Sequence, residues 1–401
     1  MKIGIIKEGK NPPDKRVALT PSQCKYLIEH FPEVEIQVQS SKNRAIPDSN
    51  YVEAGIQVLD EIPDCDHYFG VKEVPIEMLH PGKKYSFFSH TLKKQPYNRG
   101  LLKAILAKDI ELIDYECMVD EDGQRIIGFG RFAGIVGAYN GILGYGLKNE
   151  MYKLKYAQNT SGKKELETEL LKVKLPPVKM LITGGGRVAN GAQEVLGALK
   201  IRKVTPFEII NFQYTEPVYS QLRSSDYNRH AKDHPWNTEH FYKNPKKYIS
   251  KFKPFWKACD ILIHCAFWDH NAPRLFELED LKDPDFRLKM IADLSCDIKG
   301  GIPCTLRPSV IPDPFYDYDP TTGEEVASFN ENLVTIMAVD NLPCSLPTDA
   351  SKAFGDELIE KVIPSIIHGD PRGIIERATM TQNGKLTERY KYLKEYVSKR
   401  A

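Results

Sequence analysis

The sequence predicts an α/β protein in which two successive series of strands and helices each form a doubly wound parallel sheet. Three observations predict it. Short apolar runs of strand composition recur along the chain, from KIGIIK at the start to NLVTIMAVD near its last quarter. Segments with helical spacing of apolar residues lie between them, the alternation that builds parallel sheets. A glycine loop, TGGGRVA, joins one of the strands to a helix.

In chain order, KIGIIK is the first strand. TPSQCKYLIEHF is a helix, because Thr20 and Gln23 make a capping-box pattern and Pro21 takes the first helical position. Its apolar stripe is Cys24, Leu27, Ile28 and Phe31. VEIQVQS alternates as a half-buried strand. DHYFGVK, KYSFFSH and IELIDYE follow as strands, with PYNRGLLKAILAK as a helix among them. The charged stretch 160–177 ends in two prolines and reads as a surface excursion. The second series is VKMLIT, the glycine loop, a helix over about 188–199, and the strands FEIINF, DILIHCAFW, LKMIADLS and NLVTIMAVD. The polar, aromatic and basic segment 224–252 interrupts it and is expected to be a surface or subunit-interface element, so a homo-oligomer is an open expectation. After Pro347 a helix carries Ala350, Phe354, Leu358 and Val362 on one stripe, and the charged tail TERYKYLKEYVSKR is also helical.

A chain of 401 residues, 41% hydrophobic, has room for two or three domains. Its net charge of +1 gives no field that would favour nucleic acid or anionic membrane. No RNP-like or helix-turn-helix signature accompanies the aromatics of 224–252. There is no apolar run of about 18 residues, so no membrane span is expected. MKIGIIKEGK lacks a secretory core, and the expected compartment is the cytoplasm. The eight cysteines are scattered with no Cys-x-x-Cys pair, so neither a metal site nor a disulfide framework is expected. Cys259 and Cys265 flank an apolar strand as small core residues.

The strand before Gly184-x-Gly186-x-x-Ala189 and the helix after it turn a weak string into a dinucleotide-binding pattern. The first glycine permits the turn, the second admits a pyrophosphate, and the small third residue lets helix and strand pack closely. The helix N-terminus offers free N–H groups to phosphate. Both series therefore read as Rossmann-like domains. An acid at the tip of the next strand would bind the ribose of NAD. With FEIINF as that strand, Gln213 follows its tip, Glu208 is at its start and Glu216 is past its end. The missing acid leaves room for a 2′-phosphate, so NADP is expected, with NAD as the alternative. Arg202, Lys203 and Arg223 are phosphate partners that the sequence does not rank.

In the first series, Arg16 precedes the capped helix, Lys72 ends YFGVK, His90 ends KYSFFSH and Glu116 follows ELIDY. Arg125 and Phe129 lie in GQRIIGFGRF. Each has a bland reading: a surface arginine, a snorkelling lysine, a satisfied histidine, a solvated acid. Together, an amine, an imidazole, an acid and a guanidinium at successive element ends describe a site. A desolvated lysine beside another cation has a depressed pKa and exchanges protons near neutrality.

These motifs carry a resemblance. KRVALTP, GVKEVP and FFSH are similar to the amino-terminal pattern shared by alanine dehydrogenases and lysine-forming saccharopine dehydrogenases. NRAIPDSNYVEAG, LIDYECMVDEDGQRIIGFGRFAG, ITGGGRVANGAQ, NPKKYISKF, FWDHNAPRLF, ADLSCD, VDNLPCSLPTDAS and NGKLTERYKYL resemble the lysine–2-oxoglutarate reductase domain. The resemblance runs over nearly the whole chain, and it implies that a second, saccharopine-oxidising half is absent. It further implies Lys72 and His90 as the acid–base pair and Glu116 as an acid tuning the lysine. Arg16, Gln95, Arg125 and Phe129 would hold substrate, with Ser295, Cys296 and Asp297 in LSCD. Cofactor contacts would come from Gly184, Gly186, Arg187, Ala189, Gln213, Phe267 and Leu294, and from Val339, Asp340, Asn341 and Leu342 in VDNL.

The expected protein is thus a substrate domain over 1–134 and 345–401, a dinucleotide domain over 135–344, and a cleft between them. Its expected reaction condenses lysine with 2-oxoglutarate and reduces the imine to saccharopine. The alternatives are an alanine-dehydrogenase-like or opine-forming enzyme, and a cofactor-binding regulatory protein without turnover. A Schiff base on Lys72 ranks lower, because the substrate already brings the amine.

Overall fold

The structure is a computed structural model that describes residues 1–10 and 13–399. The chain divides into two compact units, Met1–Phe129 with Pro347–Ala401, and Gly130–Leu346.

The first unit holds an eight-stranded sheet. Six parallel strands, β1 (Lys2–Ile5), β2 (Glu35–Gln39), β3 (Gln57–Leu59), β4 (His67–Phe69), β5 (Lys84–Phe87) and β6 (Glu111–Asp114), run in the order β3-β2-β1-β4-β5-β6. Thr379–Gln382 adds antiparallel to β6 and pairs in turn with Lys385–Leu386. Every residue of β4 is buried, as a central strand covered on both faces requires. The helix Pro21–His30 begins where its capping signal lies, and Gln23 Oε1 accepts the Thr20 N–H at 2.9 Å. Its buried face is Gln23, Cys24 and Leu27, while Ile28 is 37% exposed, so the apolar stripe is narrower than its spacing implied. In the helix Pro347–Lys361, Ala350, Phe354 and Leu358 are buried, and Val362 is buried just past its end. The tail forms a 3₁₀ turn, Glu388–Leu393, and a short helix, Lys394–Ser398; Arg400 lies outside the described residues.

The second unit has its own eight-stranded sheet. Its strands are β7 (Lys179–Thr183), β8 (Arg202–Lys203) and β9 (Val218–Leu222), then β12 (Ile261–His264), β13 (Met290–Asp293), β14 (Phe315–Asp319), β15 (Glu324–Val326) and β16 (Val334–Met337). Between β9 and β12 comes a separate hairpin of β10 (Asn228–His230) and β11 (Tyr248–Ser250). The order β8-β9-β7-β12-β13-β16 is parallel, and β14 and β15 close one edge antiparallel.

Two readings of the sequence change here. FEIINF is not a strand: Pro206–Asn211 is a helix, started by Thr205 and Glu208, whose carboxylate accepts the Thr205 N–H at 2.8 Å. The same Thr-Pro-x-Glu/Gln signal that marks the first helix was present and outweighed the apolar run. The first strand after the glycine-loop helix is the two-residue β8, and the strand after it, β9, pairs with β7. The stretch 160–177 is not all surface, since the helix Lys163–Leu170 buries Leu166 and Leu170.

The glycine-rich GIVGAYNGILGYG lies inside a 19-residue helix, Gly130–Lys148. Its glycines serve packing. A Cβ on Gly134 would lie 1.9 Å from the Val188 carbonyl oxygen, and one on Gly191 would lie 2.0 Å from that of Arg131. The helices Gly130–Lys148 and Arg187–Ala198 therefore touch backbone to backbone. Among the described residues no helix is long and apolar enough to cross a membrane, and no cluster of His, Cys, Asp and Glu could hold a metal ion.

Candidate functional site

In the first unit the C-terminal ends of four adjacent parallel strands collect the polar groups, the edge where α/β sheets bind ligands. Glu8, Asp14 and Arg16 follow β1, Lys72 and Glu73 follow β4, His90 follows β5 and Glu116 follows β6.

Glu8 reaches across from β1 to the end of β4. Its two carboxyl oxygens accept the N–H groups of Val71 (2.7 Å) and Lys72 (2.8 Å). Burial, with Asp14 nearby, raises its pKa to about 8. The Lys72 ammonium is partly buried and makes no hydrogen bond or ion pair among the described residues. Burial lowers its pKa, and Arg16 and Lys10 lower it further against the opposing charges of Asp14 and Glu73. Such an amine gives up its proton more readily than a solvated lysine.

His90 sits in the left-handed region, φ 51°, which turns its ring toward β4. Its Nδ1 lies 2.6 Å from Glu73 Oε1, and Lys10 approaches the other oxygen at 3.6 Å. Burial pushes Glu73 up, but the hydrogen bond and charge of His90 outweigh it and hold the carboxyl at about 2. Asp114 ties the next two loops together. It accepts N–H groups from Ser89 (3.1 Å) and Glu116 (2.7 Å), and the Ser89 hydroxyl as well. Burial raises its pKa to about 6.

Arg16 is 2% exposed. Its Nε–Nη2 edge is closed on Asp14 at 2.9 and 2.5 Å, and its guanidinium lies 4.2 Å over the Phe129 ring. Phe129 stacks on Phe354 at 4.5 Å. The Arg16 edge that could grip a substrate carboxylate bidentately is therefore occupied by Asp14. Glu116 faces Arg125 at 3.5 Å, and the acids acting on Lys72 are Asp14 and Glu73. Gln95 accepts a hydrogen bond from the Tyr97 hydroxyl, and its carbonyl accepts one from Tyr396 at 2.5 Å. Beneath these groups the Tyr115 hydroxyl is buried without a hydrogen-bond partner among the described residues. Glu8, Asp14, Glu73 and Asp114 were missed in the sequence, although Glu73 stands inside the quoted GVKEVP, Asp114 inside IELIDYE, and Asp14 one residue before KRVALTP.

In the second unit the glycine loop opens a cleft of about 680 Å³ at the tips of β7, β9 and β12. Gly184 has φ +93°, and a Cβ there would meet the Ala266 backbone at 3.2 Å, so only glycine makes this turn without strain. A Cβ on Gly186 would meet nothing within 4 Å, which leaves the backbone open at the start of the helix Arg187–Ala198. Gly184, Gly186, Arg187 and Phe267 all line the cleft, and Ala189 is buried beneath it as a packing residue. His264 lines it too. Its Nδ1 is 2.7 Å from the Thr183 hydroxyl, burial lowers its pKa, and its buried Nε2 has no partner among the described residues. An open glycine backbone at a helix start and an orphaned buried ring nitrogen fit a dinucleotide.

Gln213 does not line this cleft. It lies with Arg202 in a separate depression before the N-terminal end of β9, whereas the glycine loop follows the C-terminal end of β7. The residue at the tip of β9 is Arg223, with Nη1 3.2 Å from where a Gly185 Cβ would be. Arg202 is paired with Glu216 at 2.9 Å, and Lys203 is held by Gln193 and Gln221.

Asp293, at the end of β13, orders the LSCD loop: its carboxylate accepts the Ser295 hydroxyl and the Thr305 hydroxyl, both at 2.7 Å. The Cys296 thiol is turned to the Asp293 carbonyl at 3.4 Å, and burial raises its pKa. The Asp297 carbonyl accepts the Gly300 N–H at 2.9 Å. The Leu294 side chain fills the space over Gly137. Val339 and Leu342 are each 2% exposed and offer backbone only, while Asp340 is exposed and Asn341 partly so.

Residues 4–136 match the family model of the alanine dehydrogenase/PNT N-terminal domain. The chain is 30% identical to the mitochondrial alpha-aminoadipic semialdehyde synthase of Rattus norvegicus, over 98% of this chain and 47% of that protein. It is 24% identical to the NAD(+), L-lysine-forming saccharopine dehydrogenase of Emericella nidulans, over 90% of this chain and 91% of the other. A solved L-alanine dehydrogenase superposes with a TM-score of 0.67 at 17% identity, covering 99% of this chain and 100% of that one, a likeness of fold. The chain spans about half the length of the synthases it matches.

Proposed function

From the premise that this chain is a homologue of the alpha-aminoadipic semialdehyde synthases and saccharopine dehydrogenases, with an alanine dehydrogenase/PNT N-terminal domain, we propose that it is a nicotinamide-dependent reductase joining L-lysine to 2-oxoglutarate as saccharopine. The observation that carries the reading is the Lys72 amine, unpaired among the described residues, on the same sheet edge as the His90–Glu73 pair and the Arg16 guanidinium.

Burial favours the unprotonated form of Lys72 Nζ, the form that takes the proton the substrate ε-ammonium must lose before it attacks the keto carbon. His90 works through Nε2. Glu73, ionised near neutrality, holds Nδ1, so Nε2 is where a proton comes and goes. From there His90 protonates the carbinolamine hydroxyl, which leaves as water and gives the protonated imine. Arg125, 48% exposed in its side chain and facing Glu116, supplies positive charge for a substrate carboxylate, and Arg16 adds more. A bound nicotinamide would supply the hydride for the imine carbon. Gly184, Gly186 and Arg187 would hold its dinucleotide, and Arg223 would take a 2′-phosphate, which favours NADP over the NAD named for the Emericella relative.

The test follows NADPH and NADH oxidation with 2-oxoglutarate against a panel of amines. Saturable, lysine-dependent oxidation with NADPH preferred is the expected result. Turnover with pyruvate and ammonia would replace this reading with an alanine-dehydrogenase-like one. Cofactor binding without any turnover would replace it with a regulatory one.

A further inference from the structure

The segment 224–252 has no part in the chemistry above. It is a built element. The hairpin β10–β11 pairs Asn228 with Ser250 and His230 with Tyr248. Above it the helix Thr238–Lys243 is capped by Asn237, whose side-chain oxygen accepts the His240 N–H at 2.7 Å. Phe241 anchors that helix, 7% exposed and packed on Trp236 (5.0 Å) and Tyr248 (4.9 Å). The next residue, Tyr242, is left 69% exposed on this rigid support. At the tip of β12, Phe267 is 87% exposed. Both rings line the same cleft as the glycine loop and Arg223. Two large aromatic side chains exposed in one concave site, beside basic groups, form a surface for a flat, anionic ligand. The segment leaves the sheet directly from the tip of β9, the side on which the adenosine half of a dinucleotide lies when its pyrophosphate sits on the glycine loop.

We propose that this segment is the adenosine-recognition wall of the dinucleotide cleft, and that Tyr242 and Phe267 supply the aromatic surface for the adenine base. The proposal rests on the dinucleotide reading of that cleft and adds which residues bind the base.

Calorimetry on the full chain, with adenosine 2′,5′-bisphosphate and inorganic pyrophosphate as probes, tests it. Tyr242→Ala and Phe267→Ala are each expected to weaken the bisphosphate by about tenfold, the usual scale for loss of a base-stacking ring. Tyr242→Phe retains binding, and pyrophosphate affinity is the same in all four proteins. Bisphosphate affinities in both alanine variants equal to the unmodified chain's would overturn the proposal. An unmodified chain that binds pyrophosphate but not the bisphosphate would overturn it too. An unmodified chain that binds neither the bisphosphate nor NADPH would instead bring down the dinucleotide reading, and this inference with it.

Discussion

His90 Nδ1 and Glu73 Oε1, 2.6 Å apart, join the loops that follow two neighbouring strands. The contact holds Glu73 at about 2, below its ordinary 4.5, against the upward push of burial. Because the folded value is the lower one, the stabilisation is complete above pH 4.5 and is lost as pH falls toward 2. Glu73→Gln is therefore expected to flatten the acid limb of thermal stability between those values and to lower turnover roughly tenfold by freeing the imidazole. Melting curves from pH 2 to 7 measure the first effect. An acid limb identical to that of the unmodified chain would mean that the pair does not form.

Lys72 is the opposite case, a partly buried charge with no partner among the described residues. Burying an unpaired ammonium costs free energy, which a methionine of similar shape does not incur. Lys72→Met is expected to lose roughly 10²- to 10⁴-fold in turnover. Its melting temperature should nonetheless hold or rise, by about 2–4 °C for each kcal/mol recovered. Calorimetric melting beside steady-state rates checks both. A variant that loses activity together with several degrees of stability would make Lys72 a structural residue.

Glu8 gives a pH dependence of the other sign. Its folded pKa, about 8, lies above its ordinary 4.5, so between these values the folded chain holds a proton that the unfolded chain releases. Stability then falls as pH rises through that window. Glu8→Gln has no proton to lose. It is expected to be less stable than the unmodified chain at pH 4.5, through one weakened backbone contact worth about 1 kcal/mol, and to gain on it as pH approaches 8. Denaturant titrations at pH 4.5, 6 and 8 read the crossing. Parallel pH dependences would show that Glu8 ionises normally.

Much of this was legible in the sequence for a physical reason. Lys72, His90 and Glu116 announce themselves because polar side chains close apolar strands, and the first helix because Thr20 and Gln23 close on each other. Gly184 is legible because no other residue makes its turn easily. What failed depended on contacts across the fold. Glu8 lies 64 residues from the Lys72 N–H it accepts, and nothing local marks it. Ile28 has helical spacing, yet no neighbour covers it. FEIINF has strand composition, but its capping residues prevail, and the slip put Gln213 rather than Arg223 at the strand tip.

That displacement sets the cofactor prediction. Of the three cations left unranked by the sequence, Arg202 is paired with Glu216 and Lys203 is held by Gln193 and Gln221. Arg223 lines the glycine-loop cleft, and no carboxylate pairs with its guanidinium among the described residues. A guanidinium without a carboxylate at this strand tip attracts a phosphate monoester and gains nothing from a ribose hydroxyl of the same shape. One charged hydrogen bond is worth about 1.5–3 kcal/mol, so Arg223→Ser should raise the KM for NADPH roughly 10- to 100-fold. The KM for NADH should stay within about threefold, since that cofactor never used the contact. Added salt should weaken NADPH binding in the unmodified chain more than in the variant, because it screens the charge that the variant lacks. Equal losses for the two cofactors would mean that Arg223 supports the loop and reads no phosphate.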